Sequence, residues 1–411
     1  MNYIFIDFKD DINRVGIVEE GRLVEFYTEE KNSKKLVGNV YRGRVNNVLM
    51  GMEAAFVDIG EGKNAYLYIK NALPKELMYS KEEYKINDII KNGEEVIVQV
   101  IKEGFGNKGP KVTTHIALPG RYIVFTPYSN KINLSRKIED SKEIERLYQI
   151  GKRITKDNKG MILRTVSEGI EESILEEEYN MLFNIYKKIE REKNFLPCPK
   201  LVYRELDLVY QVIRDRFNED ISKIIVNNRE IYDNLLLFED YISSGLWKKL
   251  ELDKNFAINK DEHIQKGIKE ALERKVSLNS GGYIVIDETE ALTAIDVNTG
   301  KYVGVKSLED TVLKTNLEAA EEIARQIRLR DIGGIIIIDF IDMKDKKDVS
   351  MVLDKLEEVL KKDKNKTNMV DITKLGLVEI TRKKVRRTLE ANYFKKCPTC
   401  EGKGKILDIN Y

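Results

Sequence analysis

The sequence predicts a multidomain protein of mixed α and β structure, with a small β-barrel towards the N-terminus and an α/β layer towards the C-terminus. The chain has 411 residues, more than a single compact domain commonly contains. Hydrophobic residues make up 42% and charged residues 34%, a balance that suits buried cores beneath a charged surface. Strand patterns dominate the first third, whereas strand and helix patterns alternate in the last third.

The N-terminal part of the chain is predicted to be rich in short strands. Residues 1–35 contain two or three strand patterns, and residues 36–118 contain five more, punctuated by Gly, Asn and Asp. Five short strands in a segment of this length are typical of a Greek-key barrel of the oligonucleotide-binding (OB) type. Residues 119–170 add strands around an amphipathic helix, and residues 170–280 are predicted to be mainly helical with one strand, ISKIIVNN.

The C-terminal part alternates strands with helices, which predicts an α/β layer. The successive patterns are YIVIDE, ALTAIDVN, a helix from 308 to 330, GIIIIDF, the helix VSMVLDKLEEVLKK, NMVDIT and GLVEIT.

Composition excludes several classes of enzyme. The only histidines are His115 and His263, too few for a zinc hydrolase built on histidine ligands. No GxxxxGK[ST] motif occurs, so a P-loop is excluded. A GxGxxG motif at 104–109 is followed by Pro110 and a strand pattern. It therefore lacks the helix N-terminus that binds a pyrophosphate, and we expect a hairpin loop.

The cellular setting follows from what the sequence lacks. No apolar run approaches the roughly 20 residues that cross a bilayer, and the N-terminus has no secretory signal. Three cysteines cannot form a disulfide framework. The formal net charge of +1 identifies no partner. We therefore expect a cytoplasmic protein without a membrane span.

Two aspartates follow apolar strand patterns in the α/β layer. Asp296 ends the run in ALTAIDVN and Asp339 ends GIIIIDF. Ligands gather at the carboxyl ends of strands in such sheets, and paired carboxylates suit Mg²⁺, which activates water towards a phosphate. Asn298 lies on the same strand face as Asp296. The alternative is that both aspartates merely cap turns, and spacing alone leaves the two interpretations open.

Long stretches of the sequence closely resemble the catalytic core of the ribonuclease E/G family. They are SGGYIVIDETEALTAIDVNTG, TNLEAAEEIARQIRLRDIGGIIIIDFIDM, KLGLVEITRKK and CPTCEGKG. Weaker resemblance covers VYRGRVNNV…GMEAAFVDIG for an S1-type barrel, SRKIE…MILRTVSEG for a 5′-end sensor and LDLVYQVIRDRFNEDISKIIV for an RNase H-like piece. Together these segments account for nearly all of residues 1–405.

The resemblance implies a plan of five parts. They are a discontinuous RNase H-like subdomain (1–35 with 205–280), an S1-type OB RNA-binding domain (36–118), a 5′-sensor region with a helical connection (119–204), a DNase I-like catalytic domain (281–395), and a zinc-link with a tail (396–411).

The resemblance also implies a magnesium-dependent endoribonuclease that cleaves single-stranded RNA, in rRNA processing or mRNA decay, and is stimulated by a 5′-monophosphate. It places the metal on Asp296 and Asp339, with Asn298 supporting. The alternative is a non-catalytic RNA-binding or scaffold protein of the same architecture. The presence of both carboxylates and of Asn298 argues against that alternative.

Further residues are expected to hold RNA. Phe56 and Tyr66 lie on predicted barrel strands and Lys108 lies in the glycine loop, positions at which the resembled family stacks bases and contacts a phosphate. Without the resemblance, both aromatic residues would be assigned to the barrel core. In LRTVSEG, Arg164 and Thr165 are suited to grip a terminal phosphate, as the family does, and Arg136 is expected to assist.

The C-terminal segment suggests a shared metal. Cys397 and Cys400 have the spacing of half a structural zinc site, which takes four ligands, and the sequence contains no second C-x-x-C. Two chains on a twofold axis complete the count, so we expect a homodimer with half a zinc per chain, as in the resembled family. A thiol redox role is disfavoured, because this tail is rich in glycine.

Two further expectations concern charge and assembly. Residues 361–405 hold 14 Lys and Arg against 5 Asp and Glu, and the densest part, TRKKVRR, is expected to face phosphates beside the carboxylates rather than form a solvated helix. Larger family members continue into a small domain that pairs dimers into tetramers. Since this chain stops at Tyr411, we expect a dimer rather than a tetramer.

Overall fold

The computed structural model describes residues 1–31, 35–74, 77, 84–104, 108–195, 197–242, 245–300, 308–400, 402 and 404. The chain divides into two compact units. The first consists of Met1–Glu29, Asn218–Tyr232 and Lys249–Tyr411, and the second of Glu30–Phe217 and Asp233–Lys248. None of the helices in the described part of the chain is long and apolar enough to cross a lipid bilayer.

The described residues form twenty-one strands and nine α-helices. The strands are β1 (Tyr3–Lys9), β2 (Ile12–Glu19), β3 (Arg22–Glu30), β4 (Val40–Leu49), β5 (Ala54–Asp58), β6 (Ala65–Tyr68), β7 (Glu95–Lys102), β8 (Lys111–Thr113), β9 (Leu118–Pro119), β10 (Ile123–Thr126), β11 (Ile132–Leu134), β12 (Gly160–Leu163), β13 (Lys200–Tyr203), β14 (Lys223–Val226), β15 (Leu250–Leu252), β16 (Lys275–Ser277), β17 (Tyr283–Glu288), β18 (Leu292–Asn298), β19 (Gly334–Asp339), β20 (Thr367–Ile372) and β21 (Val378–Arg382). The helices are α1 (Ile86–Ile89), α2 (Ser141–Ile154), α3 (Glu172–Phe195), α4 (Leu208–Arg216), α5 (Arg229–Ile242), α6 (Glu262–Leu272), α7 (Leu308–Leu329), α8 (Lys346–Lys361) and α9 (Leu389–Tyr393).

The first unit contains a five-stranded sheet that joins distant parts of the chain. Its order is β15-β14-β1-β2-β3, with β2 antiparallel to β1, β14 parallel to β1, and β15 parallel to β14. Helix α6 packs closely on this sheet, because a Cβ at Gly267 would lie 2.7 Å from the Cβ of Leu23. Phe5, Leu23 and Ile264 belong to the resulting core.

The same unit contains a second sheet of six strands, in the order β16-β17-β18-β19-β21-β20. Strands β18 and β19 run parallel, and the other neighbouring pairs are antiparallel. Apolar residues of α7 and α8 cover one face and share a core with the alternate strand residues. The residues between them point the other way, and Ala294, Asp296, Ile335 and Asp339 on that face are exposed.

The second unit contains the predicted β-barrel. Strands β4, β5, β6, β8 and β7 pair in that order, and an antiparallel pairing of β4 with β7 closes the ring. Val57, Leu67, Val98 and Val112 fill the interior and are fully buried. The five-stranded barrel expected from the sequence is therefore confirmed, whereas its assignment to the S1 or OB type stays a prediction.

The second unit also contains a four-stranded sheet, ordered β11-β12-β10-β9. Strands β11 and β12 run parallel, and β10 is antiparallel to both β12 and β9. Helices α2 and α3 supply much of the core on this sheet, including Leu147, Ile150, Tyr179 and Leu182.

The strand and helix order predicted for residues 281–381 is confirmed element by element. The region from 170 to 280 contains three strands that the helical prediction missed, namely β13, β15 and β16. Each has only three or four residues, so local periodicity carries little signal for it, and β13 and β15 are placed by partner strands distant in sequence. The five-part domain plan stays a prediction.

Candidate functional site

The two predicted aspartates lie side by side on the exposed face of the six-stranded sheet. Asp339 is the last residue of β19, and the parallel register pairs it directly with Asp296 of β18. Neighbouring strands are about 4.8 Å apart, so the two carboxyl groups leave the backbone from adjacent positions. Both side chains are exposed, while Ile295 and Ile338 beside them point into the core.

Asn298 orients one member of this pair. Its Nδ2 donates to Oδ2 of Asp296 at 2.7 Å, as expected for two residues on the same face of one strand. Oδ1 of Asp296 and both carboxylate oxygens of Asp339 accept no hydrogen bond from the described residues. Three carboxylate oxygens of this pair are therefore available to a ligand from solvent.

This donor set fits magnesium better than a metal held wholly by protein. Across the described residues there is no cluster of three or more His, Cys, Asp or Glu that could enclose an ion. Mg²⁺ is commonly held by one or two carboxylates, with water and substrate phosphate completing its octahedron. Asp296 and Asp339 offer two carboxylates with open coordination on one side.

A buried asparagine, missed in the sequence, fixes the chain as it leaves β19. Asn316 on α7 is fully buried; its Nδ2 donates to the carbonyl of Ile341 at 2.8 Å, and its Oδ1 accepts from the Ile341 amide at 3.1 Å. Ile341 lies two residues beyond Asp339, so α7 determines how that strand end is held. The only signal in the sequence was a polar pair, Thr315 and Asn316, on the apolar side of a helix.

The basic segment TRKKVRR lies elsewhere, so the prediction that it accompanies the carboxylates is wrong. Strand β21 is antiparallel to β19 and pairs Arg382 with Gly334, at the end of β19 opposite to Asp339. Five residues of strand separate the two ends by roughly 16 Å. The segment is not helical, and Arg382 is buried between Asp331 and Asp363. An antiparallel return strand necessarily carries its C-terminal residues away from that edge.

Other polar candidates are engaged in the structure. Asp287 lies within β17 and receives Nη2 of Arg274 at 2.6 Å, and this hydrogen bond lowers the pKa of Asp287 despite some burial. The ring of His115 bonds through Nε2 to the carbonyl of Leu73. Neither arrangement suggests a catalytic or metal-binding role for Asp287 or His115.

Phe56 and Tyr66 point outwards from the barrel. They are direct partners across β5 and β6, with ring centroids 5.9 Å apart and ring planes at 66°. Both are partly exposed, whereas Val57 and Leu67, the next residues along each strand, fill the barrel interior. The interpretation of these two aromatic residues as barrel core is therefore wrong.

The strand register adds two residues to this surface that sequence reasoning missed. Lys111 of β8 pairs with Tyr66, and its Nζ lies 5.9 Å from the ring centroid of Tyr68 on β6. Lys108, predicted from the glycine loop, is exposed three residues earlier, while Phe105–Asn107 of that loop lie outside the described residues. The parallel pairing of β6 with β8 leaves no local sign in the sequence.

The predicted phosphate-binding residues meet at the ends of two parallel strands. The β11–β12 register pairs Leu134 with Leu163, so the segments that follow leave the sheet together. Thr165 and Ser135 share a hydrogen bond between their hydroxyl oxygens at 2.9 Å. Arg136 is exposed beside them.

Arg164 is already oriented within this cluster. Its Nη1 donates to the Gly120 carbonyl at 2.7 Å and to Oδ1 of Asp215 at 2.8 Å. Nε and Nη2, which share the opposite edge of the guanidinium, bond to none of the described residues. Burial raises the pKa of Asp215, but the charges of Arg214 and Arg164 outweigh it and hold that pKa far below its usual range. The lowered pKa favours the ionised form of Asp215, and the Nε–Nη2 edge of Arg164 has no partner among the described residues.

The two C-terminal cysteines are accessible. Cys397 is exposed and Cys400 partly so. Backbone N–H groups of Cys400 and Thr399 lower the pKa of the Cys397 thiol, which favours the thiolate that binds metals.

Comparison with known proteins decides the family. A model described as "Ribonuclease E/G family" matches residues 117–385. The chain belongs to the ribonuclease E/G family. It is 40% identical to ribonuclease G of Escherichia coli strain K12 over 403 residues, which is 96% of this chain and 82% of that protein. It is 38% identical to ribonuclease G of Haemophilus influenzae over the same shares, and 35% identical to ribonuclease E of Nostoc over 96% of this chain and 59% of that protein.

Proposed function

We propose that this chain, an endoribonuclease by its family, hydrolyses single-stranded RNA at the Asp296–Asp339 pair with the help of Mg²⁺. The observation that carries the proposal is the direct register of the two aspartates on an exposed sheet face. Like charges on adjacent positions repel each other, and a bound cation relieves that repulsion. A non-catalytic scaffold would have no need of this arrangement.

The reaction follows from the residues around the pair. Asp296 and Asp339 would hold Mg²⁺, which when bound would polarise the scissile phosphate and lower the pKa of the attacking water. Asn298 holds Asp296 through its Nδ2, and its Oδ1 remains available to orient water. Water adds to phosphorus as the bond to the 3′-oxygen breaks, leaving a 5′-phosphate and a 3′-hydroxyl.

RNA is held by aromatic rings and basic side chains of the second unit. Phe56 and Tyr66 offer ring faces to successive bases, a mode of binding that tolerates any sequence. Lys108 contacts a phosphate. Fragments with a 5′-monophosphate are preferred, because Arg164 and Thr165 grip the terminal phosphate with help from Arg136.

Two chains form the working enzyme. Cys397 and Cys400 of each subunit contribute two thiolates to a single Zn²⁺ shared between partners, which completes a tetrahedral site. This homodimer accounts for an exposed pair of cysteines in a protein without a third nearby ligand among its described residues.

The test replaces each aspartate by asparagine, which removes the charge and keeps the shape. Asp296→Asn and Asp339→Asn should slow cleavage by roughly 100-fold or more with the dissociation constant for RNA little changed, since the metal rather than the RNA surface is lost. Asp342→Asn, an exposed aspartate three residues further on, is the matched control and should cut at the wild-type rate.

The substrate is a 5′-phosphorylated single-stranded RNA, incubated with and without Mg²⁺, with product ends mapped and melting temperatures compared. Wild-type cleavage by either active-site variant would refute the proposed site. If the wild type still cleaves RNA after a chelator has removed Mg²⁺, the proposed requirement for Mg²⁺ is wrong.

A further inference from the structure

Arg121 is a buried cation with unmet hydrogen-bonding capacity. The residue is 8% exposed, and its Nε and Nη1 find no acceptor among the described residues. An arginine side chain keeps its charge in proteins, and buried charged donors are normally satisfied. Two donors without a partner on one guanidinium therefore indicate an acceptor that the described residues do not supply.

Two aromatic rings hold this guanidinium in place. Its central carbon lies 5.3 Å from the ring centroid of Tyr122 and 5.4 Å from that of Phe217, and both rings are buried. These contacts place the guanidinium over the ring faces, which offer no oxygen acceptor to its N–H groups. The rings thus fix the position of the cation without satisfying its donors.

The backbone beneath Arg121 is equally constrained. The amides of Arg121, Tyr122 and Ile123 all donate to the buried carboxylate of Glu178, at 2.6, 2.9 and 2.7 Å. The close approach requires Gly120, where a Cβ would lie 2.6 Å from Cδ of Glu178. Glu178 is therefore committed to the backbone, and no described carboxylate forms a salt bridge with the Arg121 side chain.

Arg121 lies next to the predicted phosphate-binding residues. Arg164 bonds to the two carbonyls that flank Arg121: its backbone amide donates to Tyr122 at 2.8 Å and its Nη1 donates to Gly120 at 2.7 Å. The charge of Arg164 is compensated in part by Asp215, whereas no carboxylate in the described part of the chain forms a salt bridge with Arg121.

We propose that Arg121 is a second arginine of the terminal-phosphate site and binds the 5′-monophosphate of RNA together with Arg164 and Thr165. This inference rests on the 5′-end preference proposed above. A terminal phosphate carries a charge of about −1.5 to −2 at pH 7 and three free oxygens, whereas an internal phosphodiester carries one charge and two. A second, uncompensated guanidinium is what distinguishes the two kinds of phosphate.

The activity test uses the full-length protein and two RNAs that differ only in a 5′-monophosphate or a 5′-hydroxyl. Arg121→Met keeps an apolar stem against the rings and removes the donors. It should lower the preference for the phosphorylated RNA by roughly tenfold, through a higher KM for that substrate. Arg121→Lys keeps the positive charge but lacks the planar guanidinium with its N–H donors, so it should also lower the preference for the phosphorylated RNA. Arg153→Met, at an exposed arginine of α2, should keep the wild-type preference. A wild-type preference in both Arg121 variants would overturn the inference.

A binding measurement separates this inference from the proposed end preference. The Nε–Hε resonance of Arg121, assigned by its loss in Arg121→Met, is followed by ¹⁵N NMR while inorganic phosphate is added, with chloride at equal ionic strength as the reference. A saturable shift with phosphate alone supports the Arg121 site, even if the wild type were to cut both RNAs equally and the end preference failed. No response to phosphate overturns the site, whatever the cleavage ratio.

Discussion

Asn316 offers the sharpest test of how the fold holds the strand end that carries Asp339. Asn316→Ala removes two hydrogen bonds to Ile341 and leaves the amide and the carbonyl of that residue unsatisfied. Each unsatisfied group costs about 1–3 kcal/mol when buried, and because Ile341 is only partly buried the free energy of unfolding should fall by an amount in the lower part of the two-group sum, about 2–4 kcal/mol. A shift of about 1 Å in a reacting group can cost on the order of 100-fold in rate. Asp339 lies two residues before Ile341 and should shift with it. We therefore expect kcat to fall roughly 10- to 100-fold and the Mg²⁺ concentration needed for activity to rise.

Urea unfolding gives the stability, and kcat, KM and the Mg²⁺ dependence are measured at a temperature at which the variant is folded. The matched control is Thr315→Val, the adjacent fully buried polar residue, whose hydroxyl bonds within its own helix to Thr311. It should lose stability and keep its Mg²⁺ dependence. If Asn316→Ala loses the expected stability but retains the wild-type kcat and Mg²⁺ requirement, Asn316 supports the helix alone and the positioning argument fails.

Three further predictions concern RNA, pH and assembly. Lys111→Ala should weaken binding of single-stranded RNA several-fold and reduce the salt slope of the affinity by about 0.7, as loss of one phosphate contact requires; an unchanged slope would place Lys111 off the RNA path. The preference for 5′-phosphorylated over 5′-hydroxyl RNA should fall several-fold between pH 7.5 and 5.5. The terminal phosphate loses its second charge near pH 6, whereas the depressed pKa of Asp215 keeps the anchor of Arg164 ionised throughout that window; a ratio independent of pH would contradict the terminal-phosphate grip. Cys397→Ser should abolish a zinc content of half an ion per chain and convert dimers to monomers, checked by metal analysis alongside solution mass; one full zinc per chain, or a zinc-free stable dimer in the wild type, would argue against a shared ion.

Much of the C-terminal α/β layer was predictable, because its elements carry strong local patterns. Local sequence is enough to recognise the apolar runs of β18 and β19 and the amphipathic repeats of α7 and α8. Each aspartate lies where its apolar run ends. Sequence could therefore nominate Asp296, Asp339 and Asn298.

The direct pairing of Asp296 with Asp339 could not be predicted from these patterns. Register is decided by long-range packing, and a slip of one residue would turn one carboxylate into the core. Lys111 was missed for the same reason. It lies beside the aromatic residues of the barrel only because β6 pairs with β8.

Side-chain bonds across the fold were also beyond local reasoning. Asn316 looks like an ordinary helix residue until its two bonds to Ile341 are seen. The basic segment after Arg382 was misplaced, because composition gives the charge of a segment but not the direction in which its strand runs.

The sheet that joins β1 to β14 has a consequence for synthesis of the chain. Strand β1 ends at Lys9, and its parallel partner β14 begins only at Lys223. At translation rates of about 5–20 residues per second, one edge of β1 waits roughly 10–40 s for its partner. During that interval the ribosome emits all of Glu30–Phe217, which can complete its own barrel and sheet. The open edge of the N-terminal hairpin is then the surface that a nascent-chain chaperone would have to shield from pairing with another chain.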